Sequence, residues 1–210
     1  MGYAAGTLEE YLADAASNKP APGGGSVSAL VGALAASMSE MAANFTVGKN
    51  KFASVQEQVA ACLGRLEPCR RELLRLMDAD VEAYEAVGAA YGMPRQSDEQ
   101  KAARDEAVQR ALKDAMEVPL SIVRECRVVA EMAAELVRIA NPNLITDVGV
   151  SVILAEAACA AARLNVEVNL KYIKDESIAG ELRPELDEIE QITAQYRRAV
   201  CVAVQDHLSG

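Results

Sequence analysis

Between Ser54 and Tyr91 the chain carries apolar residues at Val55, Val59, Cys62, Leu66, Cys69, Leu73, Leu76, Tyr84, Val87 and Tyr91. The steps are threes and fours, apart from one of two turns between Leu76 and Tyr84, the period of a helix that buries one stripe against its neighbours. At 1.5 Å per residue such a helix is roughly 55 Å long. A rod of that length buries its stripe only against other long helices, so this segment commits the chain to a bundle. Pro68 lies inside the stripe and predicts a kink there.

Helical spacing and its punctuation recur on both sides. Thr7 with Glu10 reads as a capping box for a first helix ending near Ser17. Residues 18–25 form a Pro/Gly loop, and Ser26 reads as the cap of a second helix ending near Val47. Ser54 with Glu57 caps the long third helix, and Ser97 with Gln100 opens a fourth that reaches Ala140, bent at Pro119. Asn141-Pro142-Asn143 breaks the chain before a fifth helix from about Thr146 to Val168. Residues 177–180 read as a break, and Pro184 suits the first turn of a last helix ending near His207. The connections are short, which predicts antiparallel neighbours. The expected architecture is therefore an all-α bundle of long antiparallel helices, forming one domain over residues 1–210. Ser28, Gly32 and Ala36 form a ridge of small side chains that predicts close helix approach and, with it, a homodimer.

Composition narrows the function. The chain has no Trp, two Phe and six Tyr, so Ala, Leu and Val must fill the core. A formal charge of −10 argues against nucleic-acid binding, which needs clustered Lys and Arg. No apolar run is read as long enough to span a bilayer, and Met1-Gly2-Tyr3-Ala4 has no signal-peptide character. The five cysteines are Cys62, Cys69, Cys126, Cys159 and Cys201, dispersed among apolar residues as reduced thiols would be. A cytoplasmic protein is expected. The single histidine is His207, so no histidine metal site or Ser-His-Asp triad is expected.

Three segments can carry chemistry. Pro20-Ala21-Pro22-Gly23-Gly24-Gly25-Ser26 offers free backbone N–H groups at a helix start, which attract anions; it also reads as a tight turn with close packing. Asp80 interrupts the long stripe, with Leu73 and Leu76 before it and Tyr84 and Val87 after it on one face. A carboxylate there is either a general acid/base with a raised pKa or a structural polar contact. Asp78 falls off the stripe and reads as solvated. Asp147 heads a mixed stripe with Ser151, Leu154, Ala158, Ala161, Asn165 and Val168. It reads either as a dipole-favoured first-turn acid or, with Ser151, Asn165 and Asn169, as a polar wall for a heterocycle. Lys49, Lys51, Lys171 and Lys174 follow helix ends, as surface residues or as a patch for a carboxylate-bearing tail.

These segments resemble one known family. Pro20 to Leu30 and Met41 to Lys49 are similar to the signature of the formiminotransferase-cyclodeaminase C-terminal domain family. Asp78-Ala79-Asp80-Val81-Glu82-Ala83-Tyr84 resembles its Asp-x-x-Ala-Tyr/Phe element. Asn141 to Val150, with Thr146 where Ser is usual, resembles its Ser-Asp-x-Gly-Val segment, and Asn165 to Leu170 its asparagine-rich helix end. The resemblance runs in order along nearly the whole chain, without a formiminotransferase half. It implies an all-α, usually homodimeric enzyme at the N5–N10 one-carbon bridge of tetrahydrofolate, either methenyltetrahydrofolate cyclohydrolase or formiminotetrahydrofolate cyclodeaminase. It implies Asp80 and Asp147 as catalytic residues. It further implies Gly23, Gly24, Gly25, Ser26, Asn44, Lys49, Tyr84, Ser151, Asn165 and Asn169 as substrate contacts. The implied partner is a reduced, polyglutamylated folate, held without metal or other cofactor. A non-catalytic folate-binding or assembly module is the alternative.

Overall fold

The computed structural model describes residues 2–210. Six α-helices account for most of it: α1 (Leu8–Ala15), α2 (Gly24–Asn44), α3 (Gln56–Tyr91), α4 (Asp98–Ile139), α5 (Ile145–Tyr172) and α6 (Glu176–Ser209). Short 3-10 turns occupy Tyr3–Ala5, Asn50–Val55 and Pro142–Leu144, and no strand occurs among the described residues. Successive long helices run antiparallel, with α2 packed on α3, α4 and α5, and α6 laid against α4 and α5.

Local sequence sets most of the helix ends. Thr7 and Glu10 form the expected capping box, as do Ser97 and Gln100. Ser54 and Glu57 do not. The chain enters α3 through the 3-10 turn instead, because the Gln56 side chain is committed to Gly48 N at 2.6 Å and to the Phe52 carbonyl at 2.9 Å. Gly48 supplies the φ of +73° that this turn needs. The expected break at 177–180 is absent. Asp175 caps α6 nine residues before Pro184 by accepting the Ser177 N–H, and the helix runs through both Gly180 and Pro184. Both residues are exposed, so water can satisfy the Gly180 carbonyl that Pro184 leaves without a donor. Likewise α3 continues unbroken through Pro68.

The long stripe is buried only in its first part. Val59, Cys62, Leu66, Cys69, Leu73 and Leu76 lie in the core, where each leucine contributes about 1.5–3 kcal/mol by leaving water. Beyond Met77 the same face leaves the core, with Tyr84 54% and Tyr91 45% exposed. Asp80 marks the changeover.

The small-residue ridge turns inward, which corrects its expected role in pairing. Ser28, Gly32 and Ala36 are buried, and a Cβ on Gly32 would stand 3.0 Å from Cys126 Sγ and 3.1 Å from Leu73 Cδ2. The ridge lets α3 and α4 close on α2 within one chain. The Glu40–Arg70 pair and the Ser39–Ser151 hydrogen bond (2.7 Å) fix the rotation of α2 against α3 and α5.

Two helical segments, Gly24–Asn44 and Pro142–Tyr172, reach the length and mean hydropathy (1.3 and 1.8) of a membrane-crossing helix, contrary to the sequence reading. Their apolarity follows from Ala, Gly and Val chosen for close packing; the window in α2 is 61% buried and that in α5 39%.

Gly32→Val should destabilise the protein by about 1–3 kcal/mol, the usual cost of overpacking, whatever the backbone entropy regained. Urea unfolding followed by circular dichroism measures it. An unchanged midpoint would show that α2 has room to move.

Candidate functional site

Asp80 lies in the middle of α3 and points at the start of α2. Its Oδ2 accepts the Ser26 backbone N–H at 2.9 Å. Ser26 is the third residue of α2, and the N-cap, Gly23, has no side chain to satisfy that donor. Asp80 therefore caps α2 from another helix. The approach needs glycine: a Cβ on Gly25 would stand 2.0 Å from Asp80 Oδ1. Beneath this contact Tyr11 Oη and Ser26 Oγ share a buried hydrogen bond of 3.1 Å, which ties α1 to the same corner. Burial pushes the Asp80 carboxyl above the ordinary aspartate range, and the Ser26 N–H pulls it partly back.

Asp80 opens on a cleft of about 550 Å³, a volume suited to a small organic ligand. One wall is the 20–24 loop, with Pro20, Ala21, Gly23 and Gly24. A second is α3, with Asp80, Ala83, Tyr84, Val87 and Tyr91. The rest comes from Leu112 and Ala115 on α4 and from Asn165, Val168, Asn169 and Tyr172 on α5. Asn165 packs against Gly24, where a Cβ would approach its amide to 3.2 Å. Asn165 and Asn169 each donate to the backbone carbonyl four residues earlier, at 3.0 and 2.9 Å. That orientation leaves the amide oxygens to accept from a ligand. Three tyrosines and two valines supply flat apolar surface around one ionisable group. Among the described residues Asp80 is the only charged one in the lining.

The sequence-derived site residues fall into three places. Asp80, Gly23, Gly24, Tyr84, Asn165 and Asn169 line this cleft, with Gly25 and Ser26 directly behind it. Ser151 is buried in the core, where it bonds Ser39 and the Ala35 carbonyl, and faces no cleft. Asn44, Lys49 and Asp147 sit at the opposite end of the bundle. There the Thr46 hydroxyl accepts the Asn141 N–H at 2.8 Å, joining the end of α2 to the start of α5. Asp147 and Asn165 are on one helix 18 residues apart, about 27 Å along its axis. Within one chain Asp147 and Asp80 do not share a site. Asp78 is also corrected: it is half-buried and accepts the Ala4 N–H at 3.3 Å, holding the N-terminal segment against α3.

Leu112, Ala115 and Tyr172 were missed. Tyr172 had a signal, since it lies on the face of Asn165 and Val168 one turn further on. Leu112 and Ala115 are ordinary helix-stripe residues that carry no chemical mark.

Among the described residues no three of His, Cys, Asp or Glu cluster as metal ligands. The five cysteines are free, and burial pushes the Cys69 thiol up to about 12 and that of Cys159 to about 11, which makes them poor nucleophiles.

Residues 7–188 match the formiminotransferase-cyclodeaminase family. The chain is 42% identical over 181 residues to a methenyltetrahydrofolate cyclohydrolase of Methylorubrum extorquens, covering 86% of this chain and 87% of that one. It is 27% identical over 185 residues to the formimidoyltransferase-cyclodeaminase of Rattus norvegicus, covering 88% of this chain but 34% of that longer protein. Among solved structures, formiminotetrahydrofolate cyclodeaminase from Thermotoga maritima superposes with a TM-score of 0.86 at 31% identity, over 96% of this chain and 97% of that one.

The raised pKa of Asp80 has a defined consequence for stability. A carboxyl whose folded pKa exceeds its unfolded value contributes stability that is present in full below the unfolded pKa, and this is lost as pH rises through the folded value. At neutral pH the charge is therefore a net burden. Asp80→Asn, which keeps an acceptor for Ser26, should hold or raise the thermal midpoint at pH 7, and lose that advantage in acid. A lowered midpoint at pH 7 would show that the charged hydrogen bond to the helix end outweighs burial.

Proposed function

The chain belongs to the formiminotransferase-cyclodeaminase family, and on that premise we propose that it is a methenyltetrahydrofolate cyclohydrolase with Asp80 as its acid/base. The observation that carries the reading is one carboxylate of raised pKa at the base of a cleft that is otherwise apolar and amide-lined. The 42% identity over nearly the full length of a named cyclohydrolase favours hydrolysis as the reaction. The likeness to a cyclodeaminase structure favours a second reading, deamination of formiminotetrahydrofolate in the same cleft.

In the hydrolysis the substrate carries a cationic N5=CH–N10 bridge, which suits a cleft whose one charge is negative. Asp80 takes a proton from water as the oxygen attacks the bridge carbon. The adduct then breaks its bond to N5. Asp80 returns the proton to N5, and the hydroxyl proton leaves to solvent, giving the N10-formyl product and one H⁺. A carboxyl that both accepts and gives a proton works best with a pKa above that of a solvated aspartate. In the alternative reaction N10 attacks the formimino carbon on N5, and the same group moves the N10 proton to the departing nitrogen. The tyrosines are placed to flank the ring systems, and the Asn165 and Asn169 oxygens to accept pterin N–H groups. The chemistry calls on protein side chains alone, and a cytoplasmic setting fits the five free thiols.

A homodimer completes the proposal. The outward faces of α2 and α5 carry Val27, Leu34 and Phe45, and Val150, Ile153, Leu164 and Val168, all exposed. Three charged residues in the middle of α5 turn the other way: Glu156 pairs with Arg197, Arg163 with Asp187 and Glu190, and Glu167 with Arg183, all on α6. Two neighbouring helices about 30 Å long present roughly 600 Å², close to one side of a standard interface. The stretch between its ends carries no charge, and an apolar face of that size is matched by a second copy of itself. Leu34→Glu with Leu164→Glu should give a folded monomer by light scattering at micromolar concentration. A wild-type monomer under those conditions would remove the dimer.

Purified protein should hydrolyse methenyltetrahydrofolate, read by loss of absorbance, and be assayed with formiminotetrahydrofolate in parallel. Asp80→Asn should lower turnover by roughly 10² to 10⁴. Gly25→Ala should lower it at least tenfold by displacing the carboxylate, although Ala favours the helix. Asp78→Asn should stay within a few-fold. Turnover should fall with acid through a pKa above the ordinary aspartate value. Folded wild-type protein that binds reduced folate without turning over either compound would make it a binding module instead.

A further inference from the structure

Two tyrosines of the Asp80 cleft, Tyr91 and Tyr172, are each the last residue of a helix. A last helical turn has carbonyls without donors of its own and frays unless something else supplies them. In both cases the supplier is α4. Arg104 donates Nε and Nη2 to the Tyr91 carbonyl at 3.1 and 3.0 Å. Gln109 donates Nε2 to the Tyr172 carbonyl at 3.1 Å, and its Oε1 accepts the Lys174 N–H at 2.7 Å.

The second contact bears directly on the cleft. The Tyr172 side of α5 is 53% exposed, so core packing does not fix its ring, and the ring goes where its backbone goes. After Tyr172 the chain turns extended at Ile173, with φ −73° and ψ 128°. Ile173 is buried and pins the turn to the core, while Gln109 pairs with the backbone on both sides of it and so sets its direction. Neither the Tyr172 carbonyl nor the Lys174 N–H has a backbone partner among the described residues. One orientation of a primary amide serves both, which a carboxylate or an ammonium could not do. Asp105 and Lys113 stand one turn away on either side of Gln109 and meet Lys174 Nζ at 2.6 Å and Asp175 at 3.3 Å. Those pairs are exposed and end on flexible side chains, so they hold the backbone weakly.

We infer that Gln109 is a positioning residue: by bonding the backbone of the α5–α6 turn it fixes the Tyr172 ring as a wall of the cleft and so sets the affinity for substrate. The inference rests on the folate reading above. Tyr172 lies seven residues beyond Asn165, about 10 Å along α5 from the end of the cleft where Asn165 meets Gly24 and Asp80 acts. A ring at that distance touches the part of the substrate that does not react. Such a contact is the same before and during the reaction, so its loss raises KM and spares kcat.

The test compares wild-type protein, Gln109→Ala, Tyr172→Ala and the double variant. Alanine favours a helix and Gln109 is half-buried, so α4 keeps its form. Gln109→Ala should raise the KM for methenyltetrahydrofolate about three- to tenfold, the effect of freeing a side chain that binding must then order, and leave kcat within about twofold. Tyr172→Ala should raise KM at least as much. In the double variant Gln109→Ala should add nothing further to KM, because the ring it positions is gone. Its effect on the thermal midpoint should be the same in both backgrounds, because the backbone carbonyl remains. A purely structural role moves the midpoint without this KM pattern. An unchanged KM in Gln109→Ala, or a rise that persists in full without the ring, would overturn the inference. In ligand-free protein, hydrogen exchange of the Lys174 amide should quicken in Gln109→Ala, and unchanged exchange overturns the inference whatever the folates do. Absence of turnover in the wild-type protein counts against the catalytic reading alone. The four proteins are then compared by calorimetric affinity for N5-formyltetrahydrofolate, where the same pattern supports the role of Gln109 and equal affinities overturn it.

Discussion

The hydrogen bond from the Ser26 N–H to Asp80 joins the two halves of this structure. It closes the open end of α2, whose N-cap glycine offers no side chain, and it holds the one charged group of the cleft in place. A cap of this kind is worth about 1 kcal/mol to a helix. Here it also opposes the effect of burial on the carboxyl, because an N–H donor and the positive end of a helix both favour the anion. The structural and catalytic readings of Asp80 are therefore not rivals. A group whose burial raises its pKa, and whose hydrogen bond pulls it partly back, must be anchored, and the anchor is the helix it caps.

That arrangement explains the composition of α2. Its first turn must admit a carboxylate where a Cβ would stand, so Gly25 is required. Its middle must admit Leu73 and Cys126 nearly to backbone contact, so Gly32 and the neighbouring Ala and Ser residues are required. A helix made of such residues has little side-chain surface to bury in its own core. Its larger residues Val27 and Leu34, and Phe45 at its C-cap, are left on the outside. The apolar outer face is thus the counterpart of the inner one. The same helix that fits tightly into its own bundle turns an uncharged surface outward, and the proposed dimer rests on that surface.

The sequence was most legible where the determining residues are neighbours. Both capping boxes that formed, Thr7 with Glu10 and Ser97 with Gln100, are satisfied within four residues. Ser54 with Glu57 had the same pattern and failed, because Gln56 bonds back to the chain just before α3. Pro184 read as a helix start because the Asp175 cap lies nine residues upstream, beyond the window in which proline is usually interpreted. Asp80 was legible for a different reason. A carboxylate inside an apolar stripe marks either a buried contact or the edge of a cavity, and here it is both. The α4 wall of the cleft left no trace, since Leu112 and Ala115 satisfy core periodicity whether or not one side of them faces a ligand.

Asp147 shows what periodicity leaves open. Residues 147, 151, 158, 161, 165 and 168 follow one helical stripe, and the stripe does specify a direction around α5. It does not specify height. A helix rises 1.5 Å per residue, so the ends of a stripe of that length lie about 30 Å apart, farther than one small-molecule site extends. Height is set by the antiparallel pairing of α2 with α5, which lays Gly24 beside Asn165 at one end and Thr46 beside Asn141 at the other. The glycine loop and the asparagines are distant in sequence and meet. Asp147 and Asn165 share a helix face and do not. In an antiparallel bundle, a motif near the start of one helix finds its partners near the end of the next, so helix order predicts which polar residues can act together better than the face they share.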